Sequence, residues 1–219
     1  MLLGSTIVPM AERWATFDCY GTLIDWNGGI RGELARVFGE ERADELLARY
    51  HELEPELEAD GTRSYREVLT EAMRELGAPL GEEDTLARSL PSWMPFPEVP
   101  RALMAARGQG WKLAILSNTD RDFIEASMAQ LGVPFELAIV ASEIGSYKPA
   151  LGHWQAFEHE VGRLPDVHVA ASLFHDIAPS NDLGLKSIWI NRLGEIPGPE
   201  PTRELPDLNG LAETLGELA

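Results

Sequence analysis

The chain has 219 residues, with 36 Asp and Glu against 18 Lys and Arg, a formal net charge of −18, and 44% hydrophobic residues. That size and composition fit a packed core in one domain with an insertion, or in two small domains, and the acidic excess argues against nucleic acid or an anionic membrane as partner. A single cysteine rules out a disulfide within the chain and fits a reducing, cytoplasmic location.

No apolar stretch reaches the ~18 residues of a membrane span. The opening Met1–Pro9 is too short and uncharged for a signal peptide and reads as a loose leader. Five short apolar, β-branched runs follow: Trp14–Phe17, Lys112–Leu116, Leu137–Val140, Val167–Ala171 and Ser187–Ile190. They show little polar alternation, as strands buried on both faces should. Helix-period segments separate the later runs at Pro100–Gly108, Arg121–Leu131 and Leu151–Val161. Strand-then-helix alternation of this kind predicts an α/β fold with a doubly wound, Rossmann-like parallel sheet and right-handed crossovers. Between the first two runs there is no convincing strand. Helical patterns lie instead at Ile30–Phe38, Glu41–Glu58, Ser64–Leu76 and Glu82–Leu90, broken at Gly39, Gly61 and Gly77-Ala78-Pro79. This reads as an inserted all-helical cap over the sheet. The expected division is a core of residues 1–26 and 97–219 and a cap of residues 27–96. The return through Pro91–Pro100 carries four prolines and should be stiff and extended. The tail from Gly194 to Pro206 should wrap the surface.

Ligands of an open parallel sheet bind beyond the carboxyl ends of its strands. Four such exits carry polar residues: Asp18-Cys19-Tyr20-Gly21-Thr22, Ser117-Asn118-Thr119-Asp120, Ser146-Tyr147-Lys148-Pro149 and Ser172-Leu173-Phe174-His175-Asp176. A carboxylate at a strand exit is a candidate nucleophile, and a buried one needs a partner such as Lys148. Cys19 should point to the opposite face and into the core, and Trp111 and Trp189 also read as core.

Taken in order, with a helical insertion after the first, these motifs resemble the haloacid dehalogenase superfamily over roughly Trp14 to Asn191. The nearer resemblance is to its 2-haloacid dehalogenases. The first motif reads Phe-Asp-x-Tyr-Gly-Thr-Leu where phosphatases have Asp-x-Asp, the second reads Ile-Leu-Ser-Asn, the third Tyr-Lys-Pro, and the fourth has Ala170-Ala171 in place of a metal-holding Gly-Asp pair. The chemistry agrees with that choice. Phosphate-ester cleavage expels a strong base, so it gains from a general acid and a metal. Carbon–halogen cleavage expels a weak base and needs neither.

The resemblance implies a metal-independent hydrolase without cofactor, acting on a small carboxylate. Asp18 attacks the carbon bearing the halogen, and water then cleaves the aspartyl ester. Lys148 balances Asp18. Asp176 pairs with Lys148 and orients the water. Thr22 holds an oxygen of Asp18, while Ser117 and Asn118 bind the substrate carboxylate. Arg49 is the expected cap arginine, with Arg31, Arg36 and Arg42 as competitors. Ser172 helps place the water, one residue closer to Asp176 than the family's spacing. Tyr20, Phe174 and His175 line the pocket, and His175 competes with Asp176 as the base. Trp154 stands where the family has a Tyr, which suggests a small pocket favouring haloacetates. Other readings stay open: a magnesium-dependent phosphatase of a small phosphorylated metabolite, a ring-opening hydrolase using the same aspartyl route, or a family member that binds without catalysis. Relatives of this type are often homodimers, but no stripe in the sequence marks an interface.

Overall fold

In a computed structural model of the protein, residues 12–59, 61–196 and 198–219 are described; the expected leader, Met1–Pro9, lies outside them. Six strands run β1 (Arg13–Phe17), β2 (Trp111–Ser117), β3 (Leu137–Val140), β4 (Val167–Ala170), β5 (Lys186–Ile190) and β6 (Arg203–Leu205). The helices are α1 (Trp26–Phe38), α2 (Ala43–Glu58), α3 (Tyr65–Glu75), α4 (Thr85–Ser89), α5 (Val99–Gly108), α6 (Arg121–Leu131), α7 (Ala141–Ile144), α8 (Gly152–Val161), α9 (Ala178–Asp182) and α10 (Leu211–Leu218).

The strands form one sheet in the order β3-β2-β1-β4-β5-β6, and every pairing is parallel. Because side chains alternate along a strand, β1 and β2 feed two separate cores. Ala15, Phe17, Leu113 and Ile115 face the side covered by α5, α6 and α10, whereas Trp14, Ala114 and Leu116 face α8 through Trp154 and Phe157. Burial on both faces explains why these strands are nearly continuous apolar runs. Cys19, Trp111 and Trp189 are buried as expected. No helix among the described residues is long and apolar enough to cross a membrane.

Helices α1 to α4 lie between β1 and β2 in sequence and pack on one another as a cap. The cap is docked from the core by Asp120. Its Oδ1 and Oδ2 accept from the backbone N–H of Tyr65 and Arg66, each at 3.0 Å. The core loop thereby satisfies the unpaired first turn of α3, alongside a capping box from Ser64 and Glu67. The Tyr147 hydroxyl donates to the Arg63 carbonyl at 2.9 Å, adding a second tie.

Three elements depart from the expectation. Helix α1 starts at Trp26 instead of Ile30, because Asp25 caps it through the Gly28 N–H and Gly29 lets it press on Trp93, whose ring would lie 2.4 Å from an added Cβ. The proline-rich return is not uniformly extended. Leu90–Ser92 forms a 3-10 turn, and Val99-Pro100 opens α5, where a proline's missing N–H costs nothing. The tail adds the sixth strand by pairing Ile188–Ile190 with Arg203–Leu205.

Candidate active site

The chain runs from β1 outward to β2 and β3, then returns to place β4 on the other side of β1. Strand order therefore reverses at β1, and a crevice opens there beyond the strand ends. Asp18 follows β1, with its own N–H bonded to the Val169 carbonyl at 3.0 Å. It sits on the floor of a cavity of about 650 Å³ between the strand ends and the cap.

The two Asp18 oxygens are held by different donors. The Thr22 hydroxyl donates to Oδ2 at 2.8 Å, itself fixed by the Ala171 N–H at 2.9 Å. Lys148 Nζ donates to Oδ1 at 3.0 Å. The same ammonium donates to Asp176 Oδ1 at 2.5 Å and to the Leu116 carbonyl at 3.0 Å, so all three of its protons are used. Lys148 is only 2% exposed. Burial works against its charge, but Asp176 and then Asp18 outweigh that and raise it to about 12. Burial likewise opposes ionisation of Asp176, while Lys148 first and His168 next hold it well below the usual carboxylate range.

Two supports keep this trio in place. Asn118 clamps the Lys148 backbone, its Oδ1 accepting from Lys148 N–H at 2.7 Å and its Nδ2 donating to Lys148 C=O at 3.0 Å. His168, buried on β4, lies 2.9 Å from Asp176 Oδ1 through Nε2 and 2.8 Å from the Thr16 hydroxyl through Nδ1. An ionised carboxylate accepts only, so Nε2 is the donor toward Asp176. The arrangement is a carboxylate facing a cavity, charge-balanced from behind and fixed by a hydroxyl, which is the setting an aspartyl nucleophile needs.

The other expected residues divide. Tyr20, Ser117, Asn118, Ser172, Phe174 and His175 line the cavity with Asp18, Lys148 and Asp176. Tyr20 bonds Ser127 through its hydroxyl at 3.0 Å, and burial pushes that phenol far upward, so it stays protonated. Ser172 accepts from the His175 N–H at 3.1 Å and opens the turn Leu173–Ile177 that carries Asp176. Burial lowers the His175 pKa, which keeps the ring neutral. Asn118 is committed to Lys148 and to Glu58, the latter at 3.2 Å, and is not a free cradle for a carboxylate. Ser117 keeps its hydroxyl without a partner.

Two expectations are corrected. Arg49 does not line the cavity: its side chain is 52% exposed and pairs with Glu52 at 2.6 Å on the outer face of α2. Its competitors lie elsewhere too, Arg31 on Glu40 and Asp44, Arg36 on Glu33 and Glu82, and Arg42 over the Phe38 ring. Trp154 is fully buried, edge-on to His168 at 5.3 Å, and packs beneath the sheet instead of shaping the pocket. Trp154 therefore does not narrow the pocket, and the cavity volume is in the range that holds whole small-molecule ligands.

What the motifs missed is the cap side. The face of α2 toward the cavity carries Glu54 and Glu58. Glu54 Oε1 accepts from the Tyr50 hydroxyl at 3.0 Å and the Tyr65 hydroxyl at 2.9 Å. Among the described residues, Glu58 Oε2 accepts from Asn118. Burial pushes Glu54 up to about 7, and burial with the Glu54 charge pushes Glu58 up to about 9. A like-charged pair four residues apart, on the same face as the apolar Leu46, Tyr50 and Leu53, was the available signal. Arg192 also lines the cavity. It is held by Glu98 at 2.8 Å, by the Thr22 carbonyl at 2.9 Å and over the Phe96 ring. Among the described residues, no group of three or more His, Cys, Asp or Glu is arranged to hold a metal ion.

Known proteins match along nearly the whole chain. An (S)-2-haloacid dehalogenase of Pseudomonas sp. (strain YL) is 28% identical over 214 residues, covering 90% of this chain and 91% of that protein. (S)-2-haloacid dehalogenase 4A of Burkholderia cepacia is 26% identical, covering 92% of each. The L-2-haloacid dehalogenase from Xanthobacter autotrophicus, solved with chloropropionic acid covalently bound, has the same fold, with a TM-score of 0.80 at 19% identity over 94% of this chain and 99% of that one. The family model for haloacid dehalogenase-like hydrolases matches residues 13–172. The sheet order, the cap and the match along the chain lead to one conclusion: the protein belongs to the haloacid dehalogenase-like hydrolase family and is an enzyme.

Proposed function

We propose that the protein hydrolyses the carbon–halogen bond of short 2-haloacids through an ester on Asp18, without a metal. The observation that carries this reading is Lys148 Nζ bridging Asp18 and Asp176 at the cavity floor. One Asp18 oxygen attacks the carbon bearing the halogen, and the halide leaves with the bonding pair. Water then adds to the Asp18 carboxyl carbon, the 2-hydroxy acid departs, and the proton passes to the Asp176 and His175 side of the cavity. Asp176 Oδ2, buried without a partner, is the acceptor that suits this water. The free Ser117 hydroxyl is the donor that suits the substrate carboxylate.

Halide is a weak base, so its departure needs no general acid. The position two residues after Asp18 is Tyr20, whose hydroxyl is committed to Ser127. The position where the fourth motif of phosphatases holds magnesium is Ala171. Relatives called 2-haloacid dehalogenases add support, as does the covalent chloropropionic acid complex of the Xanthobacter protein. The division into a cap of residues 27–96 and a core of the remainder belongs to this proposal, as does a cytoplasmic location, which the single buried cysteine supports.

Halide release from chloroacetate and 2-chloropropionate, measured with and without a chelator, tests the reading. Release unaffected by chelator is expected. No release from either acid, together with magnesium-dependent hydrolysis of p-nitrophenyl phosphate, would overturn it in favour of a phosphatase.

A further inference from the structure

We propose that Glu54 and Glu58 form a subsite for a cationic nitrogen, so that the natural substrate is a haloacid whose side chain ends in an ammonium group. This deepens the reading above and rests on it for the reacting carbon.

The geometry begins with free acceptor atoms. Glu54 and Glu58 are 9% and 7% exposed and line the same cavity as Asp18. Glu54 Oε1 is filled by two tyrosine hydroxyls and Glu58 Oε2 by Asn118, which leaves Glu54 Oε2 and Glu58 Oε1 without a hydrogen-bond partner among the described residues. An independent feature marks the cavity as a ligand site: the Ser117 hydroxyl, on a residue 1% exposed, lines it and also has no partner.

Charge then decides what kind of ligand fits. The buried carboxyls around the cavity are Asp18, Glu54, Glu58 and Asp176, against the buried ammonium of Lys148. Lys148 is saturated by Asp18, Asp176 and Leu116, and Arg192 is held by Glu98. A side chain bearing a second anion would meet two carboxyls at this wall, where the neighbouring donor is the Asn118 amide. An alkyl side chain would cover both carboxyl groups without offering either free oxygen a donor, which forgoes two hydrogen bonds. An ammonium group donates to both free oxygens. Burial raises the two glutamates, Glu54 to about 7 and Glu58 to about 9, and the groups around them are Tyr50, Tyr65, Asn118, Asp18 and Lys148. A bound ammonium supplies the missing counter-charge, and the displaced protons pass to solvent.

The first test is binding, which requires no turnover. Calorimetric titration of the whole protein with propylammonium, and separately with butyrate, in two buffers of different ionisation heat should show propylammonium binding with proton release. Glu54→Gln and Glu58→Gln, which preserve the acceptor bonds, should each weaken it at least tenfold. The second test is halide release from 4-amino-2-chlorobutanoate against its uncharged isostere 2-chloropentanoate. A kcat/KM preference of tenfold or more for the ammonium acid is expected, shrinking toward one in Glu58→Gln. Failure to bind propylammonium, or binding unchanged in both variants, overturns the subsite. So does a preference for 2-chloropentanoate. Should chlorinated acids turn over without that preference, the subsite fails and the dehalogenase reading stands. Should propylammonium bind as expected while no acid releases halide, the reading of the reaction fails and the subsite stands.

Discussion

The two walls of the cavity handle charge differently. On the core wall, Asp18 and Asp176 meet Lys148 directly, and every proton of that ammonium has an acceptor. On the cap wall, Glu54 and Glu58 meet only hydroxyls and an amide. The core wall is complete before any substrate arrives, so its electrostatics need no rearrangement during reaction. The cap wall is balanced by protons, and among the described residues its glutamates have no cationic side chain bonded to them. The contrast assigns chemistry to the core and choice of substrate to the cap.

The sharpest way to break that division is at Asp18. Asp18→Asn keeps the size of the side chain and one acceptor oxygen, but it puts an amide NH2 where the other oxygen stood and removes the nucleophile. It should cost on the order of 10⁴-fold or more in kcat, as loss of a covalent nucleophile does elsewhere, with an unchanged circular dichroism spectrum. Lys148→Met should abolish activity and also destabilise, because it leaves two buried carboxylates facing each other. Breaking a buried pair costs about 3–5 kcal/mol, which at ~2–4 °C per kcal/mol should lower the thermal midpoint by about 10 °C.

The cap wall should show itself as pH dependence. Glu54 and Glu58 bind protons more tightly in the folded state than the ordinary carboxyl near 4.5, at about 7 and about 9. Between those values the folded state holds the extra protons, so stability should fall as pH rises. The thermal midpoint of the wild type should therefore drop from pH 5 to pH 9. Glu58→Gln should flatten that slope and gain several degrees over wild type at pH 9. A wild-type midpoint that rises over this range would contradict the assignment. The smallest effect is expected at Arg49. Arg49→Ala removes one exposed i,i+3 pair, worth at most ~0.5 kcal/mol, and should leave kcat/KM within twofold; a hundredfold loss would return Arg49 to the site.

The same two walls differ in how far the sequence revealed them. Strand exits are legible because a short apolar run ends where polar residues begin. Asp18, Ser117, Lys148 and Asp176 follow from that, and the structure brings them together. Leu137–Val140 and Arg121–Leu131 were legible to the residue because each is bounded by a clear change of pattern. Cap residues are harder to place, since each step along a helix turns the side chain by about 100°. Arg49 lies one step from Tyr50, which is buried and bonded to Glu54, and that step carries it to solvent. Trp154 fits a family position by count but faces the layer beneath the sheet. Helix α1 begins before the pattern at Ile30–Phe38 because Asp25 caps it and Gly29 admits the Trp93 ring. The sixth strand is short, polar and at the sheet edge, so no apolar run announces it.

The central claim is that Asp18 bonds covalently to substrate carbon. Its most direct test is a single turnover in H₂¹⁸O with enzyme in excess over 2-chloropropionate, followed by mass spectrometry of the peptide containing Asp18 and of the lactate formed. An aspartyl ester opened by water at the carboxyl carbon puts ¹⁸O into Asp18 and leaves the first lactate unlabelled. Label in the lactate with none in Asp18 would mean that water attacks the substrate directly, and would contradict the account.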